Sequence, residues 1–238
     1  MIKVILTKND KFLKLSSLID NKNKKMLLAL DIVNCQISIV DDLIENGINE
    51  CEIIFNLEAG ALLKYILKFE GKKIKDSYTI CPERSRIGAN GLKKSFFRDL
   101  TVNLLGQNSK ADLNIKITSL KEQQINLITK QIHLSSNTSS LLNIKNVMLK
   151  NSKFHCDNLI KIEKDLSNVT AIESSKVLSL VSDAQVIFKP KIEVDSQDVI
   201  CKHEAAILGL NEEQIFYLQS RGMSCKRAKD FLLKSFLN

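Results

Sequence analysis

Short runs of alternating apolar and polar residues fill most of this chain, and they restrict its possible folds more than any other feature. Between about residues 25 and 201, a new run begins about every 8–12 residues, after a break rich in Asn, Ser or Asp. This spacing predicts many short β-strands, and no helical pattern of about 10–15 residues separates them, which argues against strand–helix–strand units. A sandwich, a barrel and a β-helix all fit, and alternation alone does not choose among them. The apolar positions are Leu113, Ile115 and Ile117; Ile132 and Leu134; Leu142 and Ile144; Ile160 and Ile162; Ala184, Val186 and Phe188; and Ile192 and Val194.

The residues after Gly209 carry a different pattern, which predicts two short helices. Asn211 is suited to cap the first helix, with Gln214 at the third position as in a capping box. Gly222 lies where a left-handed residue would end that helix. Ser224 is suited to cap the second helix. The apolar spacing there predicts one buried stripe formed by Ala228, Phe231, Leu232, Ser235 and Phe236.

The excess of basic residues is concentrated in one part of the chain. The 238 residues include 35 basic and 27 acidic ones, a formal charge of +8, and residues 64–99 alone hold ten basic and four acidic residues, or 10 − 4 = +6. Aromatic residues occur within this stretch, but they form no motif typical of nucleic-acid binding. The second terminal helix is also basic, yet it offers few outward side chains that could read bases. A solvated basic hairpin or loop is the favoured interpretation, and nucleic-acid binding is a minor alternative.

Neither a membrane span nor a secretory signal is predicted. The longest apolar stretches, such as residues 26–30, are five residues long, whereas a membrane-spanning helix needs about twenty. The apolar patch at the N-terminus is interrupted before a signal-peptide core could form. The six cysteines contain no C-x-x-C pair, which indicates reduced thiols. We therefore expect a cytoplasmic protein.

Cys201 and His203 are the two residues of the sequence that are best placed to bind a metal ion together. The chain has no nucleophile elbow, phosphate-binding loop, zinc-protease motif or Rossmann glycine pattern. In an extended strand, Cys201 and His203 face the same side with Cα atoms about 6.5–7 Å apart, so both could approach one iron or zinc ion. Two ligands do not complete a four-coordinate site, and the others would have to come from another chain.

The same region resembles a known family. Residues 189–206 read KPKIEVDSQDVICKHEAA and residues 211–222 read NEEQIFYLQSRG, and this combined run is similar to the signature of the SufB/SufD family of iron–sulfur cluster assembly proteins. Weaker similarity extends upstream to His133 with Thr138 and Ser140, to residues 104–106 and to residues 58–61. The resemblance covers roughly residues 30–238. Cys201 favours the SufD branch, whereas Glu204 is the residue expected in SufB.

The resemblance implies a fold and an assembly. It implies a right-handed parallel β-helix at residues 26–208 and a C-terminal helical unit at 209–238, after a shortened N-terminal segment at 1–25. The chain would be a non-catalytic scaffold that pairs with SufB through the β-helix and holds the ATPase SufC through the terminal helices. No cofactor would be bound permanently, because the iron–sulfur cluster would form transiently at the subunit interface.

Individual residues receive roles from the same resemblance. His203 would be a cluster or iron ligand, with Cys201 as a second ligand and Glu204 as a weaker candidate. Docking of the ATPase subunit would involve Phe216, Tyr217, Arg221 and Phe231. A SufB-like subunit that assembles cluster itself is the alternative within the family, and it would need an internal thiol route through Cys51 or Cys156.

Overall fold

The computed structural model describes residues 2–6, 13–18, 25–43, 50–69, 96–119, 122–181 and 183–238. Most of the basic stretch identified at 64–99, including Cys81, lies outside the described residues. The strands are β1 (Ile2–Leu6), β2 (Leu13–Lys14), β3 (Lys25–Ile32), β4 (Gln36–Asp41), β5 (Glu50–Leu57), β6 (Leu62–Phe69), β7 (Phe96–Leu104), β8 (Lys110–Ser119), β9 (Gln124–His133), β10 (Ser139–Met148), β11 (Lys153–Ile162), β12 (Ser167–Ser179), β13 (Gln185–Val194) and β14 (Asp198–Gly209). A 3-10 turn spans Leu15–Leu18, and two helices follow the strands: α1 (Glu212–Ser220) and α2 (Cys225–Leu237).

The chain coils through two parallel sheets. All odd-numbered strands form one seven-stranded sheet and all even-numbered strands form the other. Each strand pairs in parallel with the strand two places further along the chain, as β9 does with β11 and β10 does with β12. The odd-numbered strands form sheet A and the even-numbered strands form sheet B. We call the space between the two sheets the lumen. This topology is a parallel β-helix, which confirms the expected fold class.

Asparagine makes many of the corners between the sheets. Seven non-glycine residues in the described ranges have positive φ, a conformation that Asn tolerates because its short side chain can hydrogen-bond locally. Five of them are asparagines, and the full set is Asn34, Asn108, Glu122, Asn137, Asn151, Asp165 and Asn168. Sharp glycine turns are therefore unnecessary at most corners, which explains how so many strands fit into a chain with few glycines.

Side chains that face the lumen form the core. Leu113, Ile115 and Ile117 are at most 1% exposed, as their alternation predicted. The prediction for β9 had the correct period but the wrong face, since Ile132 is partly exposed and Leu134 is 41% exposed. The lumen positions of this strand are polar, with Thr129, Gln131 and His133 buried instead. Two of these groups have hydrogen-bond partners that favour their burial: Thr129 donates to Asn158 over 2.8 Å, and the ring nitrogens of His133 contact the hydroxyl groups of Thr138 and Ser140.

The helical unit forms as the capping residues predicted. The Asn211 side chain accepts hydrogen bonds from the main-chain N–H groups of residues 213 and 214, and Ser224 accepts one from that of residue 227. Gly222 has φ +86°. The predicted stripe on α2 is wrong for Phe231 and Ser235, which are exposed. The buried face of α2 is the one next to the predicted stripe. Its residue Leu233 packs with Val147 and Leu178 of sheet B.

Candidate functional site

The β-helix has an open end at its last coil. Among the described strands, β13 pairs only with β11 and β14 pairs only with β12, so one edge of each strand is left without a neighbour. Ile192 and Ile207 occupy lumen positions in this coil and are 48% and 58% exposed. Their register partners one coil below, Ile160 and Val177, are fully buried. The open end therefore presents both strand edges and apolar side chains, the features that allow another sheet edge to dock.

His203 lies at a lumen position of this open end. Its side chain is 15% exposed, and its Nδ1 lies 3.3 Å from Oε2 of Glu173, the residue directly below it in sheet B. The Nε2 atom is buried and has no hydrogen-bond partner among the described residues. A carboxylate that accepts the Nδ1 proton fixes the ring orientation and leaves the Nε2 lone pair available to a metal. The geometry therefore suits His203 to bind a metal ion through Nε2.

Glu173 is itself held by a buried hydrogen-bond network. The amide of Asn158 donates to Glu173 and to Ser175, and Ser175 donates to Glu173 over 3.0 Å. Thr129 extends the network by one more coil through its bond to Asn158. Burial raises the pKa of the Glu173 carboxyl, while His203 and these hydrogen bonds oppose that increase. The carboxyl group is thus positioned on three sides, and it cannot reorient without breaking bonds inside the lumen.

Cys201 joins His203 in the lumen, whereas Glu204 does not. Cys201 lies above Ala171 on the same face as His203 and is partly buried. Burial, followed by the charge of Glu173, raises the pKa of its thiol. Glu204 faces outward, because neighbouring residues in a strand point to opposite sides. There its carboxylate pairs with Lys176 at 3.1 Å and accepts a hydrogen bond from Ser174.

The other two cysteines considered for the site are deeply buried. Cys51 and Cys156 face the lumen and are 2% and 0% exposed. Burial raises the pKa of Cys51 to about 11 and that of Cys156 still further. Because the thiolate is the reactive form, both thiols are poor nucleophiles in this environment. Within the described part of the chain, no group of three or more His, Cys, Asp or Glu side chains is arranged to hold a metal ion.

Sequence reasoning missed Glu173 and Asn158. Both occupy lumen positions, Glu173 next to Ala171 in the alternation of β12 and Asn158 next to Cys156 in that of β11. The available signal was a polar residue at a position where the period of two requires an apolar one. Only the register between coils shows that these residues contact each other and His203.

Three of the four predicted docking residues lie on the terminal helices, and Arg221 follows directly after α1 as its C-terminal cap. Phe216, Tyr217 and Phe231 are 73%, 56% and 53% exposed, and the guanidinium of Arg221 lies 5.4 Å from the centre of the Tyr217 ring. The large apolar side chains among them are therefore not part of the core. Exposed aromatic residues with an adjacent arginine are typical of protein–protein contacts.

His133, Thr138 and Ser140, which carried part of the resemblance, form a buried cluster. The Nδ1 atom of His133 lies 2.8 Å from the Thr138 hydroxyl oxygen, and Nε2 lies 2.9 Å from the Ser140 hydroxyl oxygen. Because Thr138 gives its own proton to the carbonyl of Ser135, His133 must donate from Nδ1 and accept at Nε2. Burial lowers the pKa of His133 to about 4. The cluster therefore holds the imidazole in its neutral form.

The His133 cluster predicts a specific acid sensitivity. Since the pKa is about 4 in the folded chain and about 6.5 when unfolded, the unfolded chain binds more protons between these values. The contribution of the neutral His133 side chain to the free energy of unfolding is complete above pH 6.5. It falls by about 3 kcal/mol as the pH approaches 4. We expect urea unfolding curves of the wild type and His133→Gln to converge over this range. His155→Gln, which alters the outer face of sheet A, is the control and should follow the wild type; parallel curves for His133→Gln would contradict the prediction.

A match to a protein-family model shows to which family this chain is related. The family model described as "SUF system FeS cluster assembly, SufBD core domain" matches residues 55–236, about three quarters of the chain. The chain belongs to the SufBD family. This match includes every strand from β6 to β14, all of α1 and all but the last residue of α2, so the open end and nearly the whole helical unit lie within the shared domain. Members of this family take part in iron–sulfur cluster assembly.

Individual members of the SufBD family show moderate identity to the chain. It is 28% identical over 133 residues to the "Iron-sulfur cluster assembly SufBD family protein ycf24" of Galdieria sulphuraria, covering 56% of this chain and 60% of that protein. It is 30% identical over 138 residues to the "Iron-sulfur cluster assembly protein SufD" of Bacillus subtilis, covering 58% of this chain and 31% of that protein. The matches thus span less than two thirds of these relatives. No helix in the described ranges is long and apolar enough to cross a membrane.

Proposed function

We propose that this chain is a non-catalytic scaffold subunit of a cytoplasmic SUF complex, in which it helps to build iron–sulfur clusters. His203 at the open end of the β-helix carries the proposal. Its ring is oriented by Glu173, its Nε2 is free of hydrogen bonds among the described residues, and it lies beside an edge that can receive a partner. The cluster is the cargo of this site rather than a resident cofactor.

The partner at the open end is proposed to be SufB. The free edges of β13 and β14 would continue into strands of the SufB β-helix, which would cover Ile192 and Ile207. His203 would supply one ligand through Nε2 and Cys201 a second one, and SufB would supply the rest. The raised pKa of the Cys201 thiol implies that binding of iron must displace its proton. Glu204, which faces outward, is not included in this ligand set.

The ATPase subunit SufC is proposed to dock on the terminal helices. Phe216, Tyr217 and Phe231 offer an exposed apolar surface, and Arg221 adds a positive charge beside it. The helical unit also packs on sheet B through Leu233. Movement of the helices during ATP hydrolysis by SufC would therefore be transmitted to the β-helix and would expose His203 to incoming iron and sulfide.

Co-expression with the host's SufB and SufC tests this function. A tag on this chain should recover a complex with both partners, and the complex should accept iron and sulfide. We expect His203→Ala to lower the cluster content per complex at least about tenfold, because loss of a ligand should cost no less than loss of an outer-shell contact. Cys201→Ser should give a smaller decrease. Iron and acid-labile sulfide, measured per complex, report the effect.

Matched control variants distinguish loss of a cluster ligand from a general loss of folding or of complex assembly. His155→Ala removes a histidine from the outer face of β11 and should leave both the complex and its cluster unchanged. Phe216→Ser should reduce recovery of SufC while SufB is retained. Normal cluster content in His203→Ala at equal complex recovery would contradict the ligand assignment. Recovery of SufC alone, with a self-associated chain that builds cluster, would support the SufB-like alternative instead.

A further inference from the structure

The side-chain amide of Asn158 has a hydrogen-bond partner at each of its positions inside the lumen. Its oxygen accepts from the Thr129 hydroxyl over 2.8 Å and from the Cys156 thiol over 3.1 Å. Its nitrogen donates to Oε1 of Glu173 and, over 3.2 Å, to the hydroxyl oxygen of Ser175. An Asn amide can accept two hydrogen bonds and donate two, so all of its capacity is used. Its orientation is therefore fixed, because a turned amide would place its oxygen against the Glu173 carboxylate.

Ser175 gives the same carboxylate oxygen a second donor. Its hydroxyl oxygen accepts from Asn158, and it donates its own proton to Oε1 of Glu173 over 3.0 Å. Oε1 thus accepts two hydrogen bonds from the lumen, whereas Oε2 is the oxygen that lies 3.3 Å from Nδ1 of His203. The two oxygens of the buried Glu173 carboxylate therefore have different partners, and only Oε2 faces the imidazole ring.

This arrangement determines which ring nitrogen of His203 carries the proton. Because a carboxylate oxygen accepts, Nδ1 donates to Oε2, and the lone pair of the ring then lies on Nε2. We propose that Glu173 is a positioning residue, which keeps the proton of His203 on Nδ1 and the lone pair on Nε2. Asn158 and Ser175 act one step further away, because their two donors require an acceptor at the inner position of residue 173. The inference rests on the proposed function only for the step in which Nε2 binds the cluster.

Glu173→Gln, a substitution that nearly preserves the shape of the side chain, is expected to reverse this tautomer. The new amide has a single oxygen, which should take the inner position because Asn158 and Ser175 both donate there. Its N–H groups then face Nδ1 of His203, so Nδ1 becomes an acceptor and the proton lies on Nε2. A protonated Nε2 has no lone pair to offer a metal ion. The variant thus changes the proton position while the packing of the lumen is retained.

A second substitution, Asn158→Asp, is expected to restore the original tautomer in the Glu173→Gln background. The carboxylate introduced at position 158 accepts only, so it should attract the N–H groups of the new amide at position 173. The oxygen of that amide then faces His203, and Nδ1 becomes a donor again. A merely structural role of Glu173 predicts no such rescue, because the double variant departs further from the native lumen than the single one does.

Long-range proton–nitrogen NMR spectra of the full-length chain, with nitrogen-15 in its histidines, identify the protonated nitrogen of each ring. At pH 8 we expect the Nδ1–H form of His203 in the wild type and in the double variant, and the Nε2–H form in Glu173→Gln. His203→Gln assigns the signals, and unchanged signals of His133 report that the lumen is folded. The control is Gln131→Leu, which removes a buried lumen amide without a hydrogen-bond partner among the described residues and should leave the tautomer unchanged.

Three results of these spectra would overturn the proposal. The first is an Nε2–H form of His203 in the wild type, which needs no variant to fold. The second is the same tautomer in the wild type and in Glu173→Gln. The third is a folded double variant in which the Nδ1–H form is not recovered, since the hydrogen-bond directions set by Asn158 would then not control the ring.

Cluster content of the co-expressed complex connects the tautomer with function. Glu173→Gln should lower iron and acid-labile sulfide per complex about tenfold, as expected when a ligand loses its outer-shell partner, and the double variant should recover most of this loss. A reversed tautomer with normal cluster content would overturn the functional part of the inference. Failure of the proposed function has a separate signature, because His203→Ala would then keep its cluster while the NMR spectra still decide the role of Glu173.

Discussion

Replacement of Asp41 by alanine is expected to destabilise the protein by about 3–5 kcal/mol, the usual cost of leaving a buried charge without its partner. Asp41 and Arg98 are both fully buried in the lumen, with Arg98 Nε 2.9 Å from Asp41 Oδ2 and Nη2 3.2 Å from Oδ1. The Tyr65 hydroxyl donates to the same carboxylate over 2.6 Å, and the main-chain N–H of Leu43 donates to it over 3.1 Å. Alanine would remove the carboxylate that accepts from the guanidinium, from the Tyr65 hydroxyl and from the N–H of Leu43.

Urea denaturation measures this effect, with a surface carboxylate as the control. Glu163→Ala removes the partner of Lys161 from an ion pair in which both side chains are more than one third exposed, so its effect on the free energy of unfolding should be much smaller than that of Asp41→Ala. The double variant Asp41→Leu with Arg98→Met removes both buried charges and should be more stable than Asp41→Ala alone. Equal losses in Asp41→Ala and Glu163→Ala would contradict the assigned role of this pair.

Among the described glycines, Gly106 is the one at which replacement by alanine is expected to cost most. A Cβ at residue 106 would overlap the main chain of Glu58 and Ala59 and would lie 2.5 Å from the Ala59 Cα. A main-chain hydrogen bond also holds the two turns together, because the N–H of Gly60 donates to the carbonyl of Gln107 over 2.9 Å. Because backbone atoms cannot move aside as a flexible side chain can, we expect a loss of about 3 kcal/mol or more.

The control for this substitution is Gly209→Ala at the end of β14. A Cβ added there meets no atom within 4 Å, and the φ of Gly209 lies outside the left-handed region. We expect this variant to change the free energy of unfolding by less than about 0.5 kcal/mol. Midpoints of urea unfolding, or yields of folded protein at equal expression, would compare the two. Similar stability of both variants would show that the corner at Gly106 is less tightly packed than the structure indicates.

The strand pattern could be predicted because it depends on local chemistry. The period of two in residues 113–117 follows from burial of one face, and the helix caps at Asn211 and Ser224 follow from hydrogen bonds within a few residues. The face of β9 could not be predicted, because Ile132 is turned outward to place His133 in the lumen. That exchange is favourable only when Thr138 and Ser140 are positioned to satisfy the imidazole.

The contact between the segments at 58–61 and 104–106 could not be predicted from the sequence either. In the sequence, each segment is a short stretch that contains one glycine. The register of β5 with β7 stacks the two turns in neighbouring coils of sheet A, and the close approach at Gly106 then follows from this stacking. No pattern within either segment specifies that contact, because the residues are more than forty positions apart.

By itself, the sequence determined the β-rich core, the paired terminal helices, the family signature and the pair formed by Cys201 and His203. These features rest on spacing along the chain, which a strand or a helix converts directly into a shared face. The tertiary structure alone decided which residues of different coils meet. Glu173 orients His203 because their strands are paired in register, and Lys64 and Lys68 share a cavity with Lys234 because α2 folds back over sheet B. Such contacts arise from coil-to-coil register and helix packing, which short-range spacing does not encode.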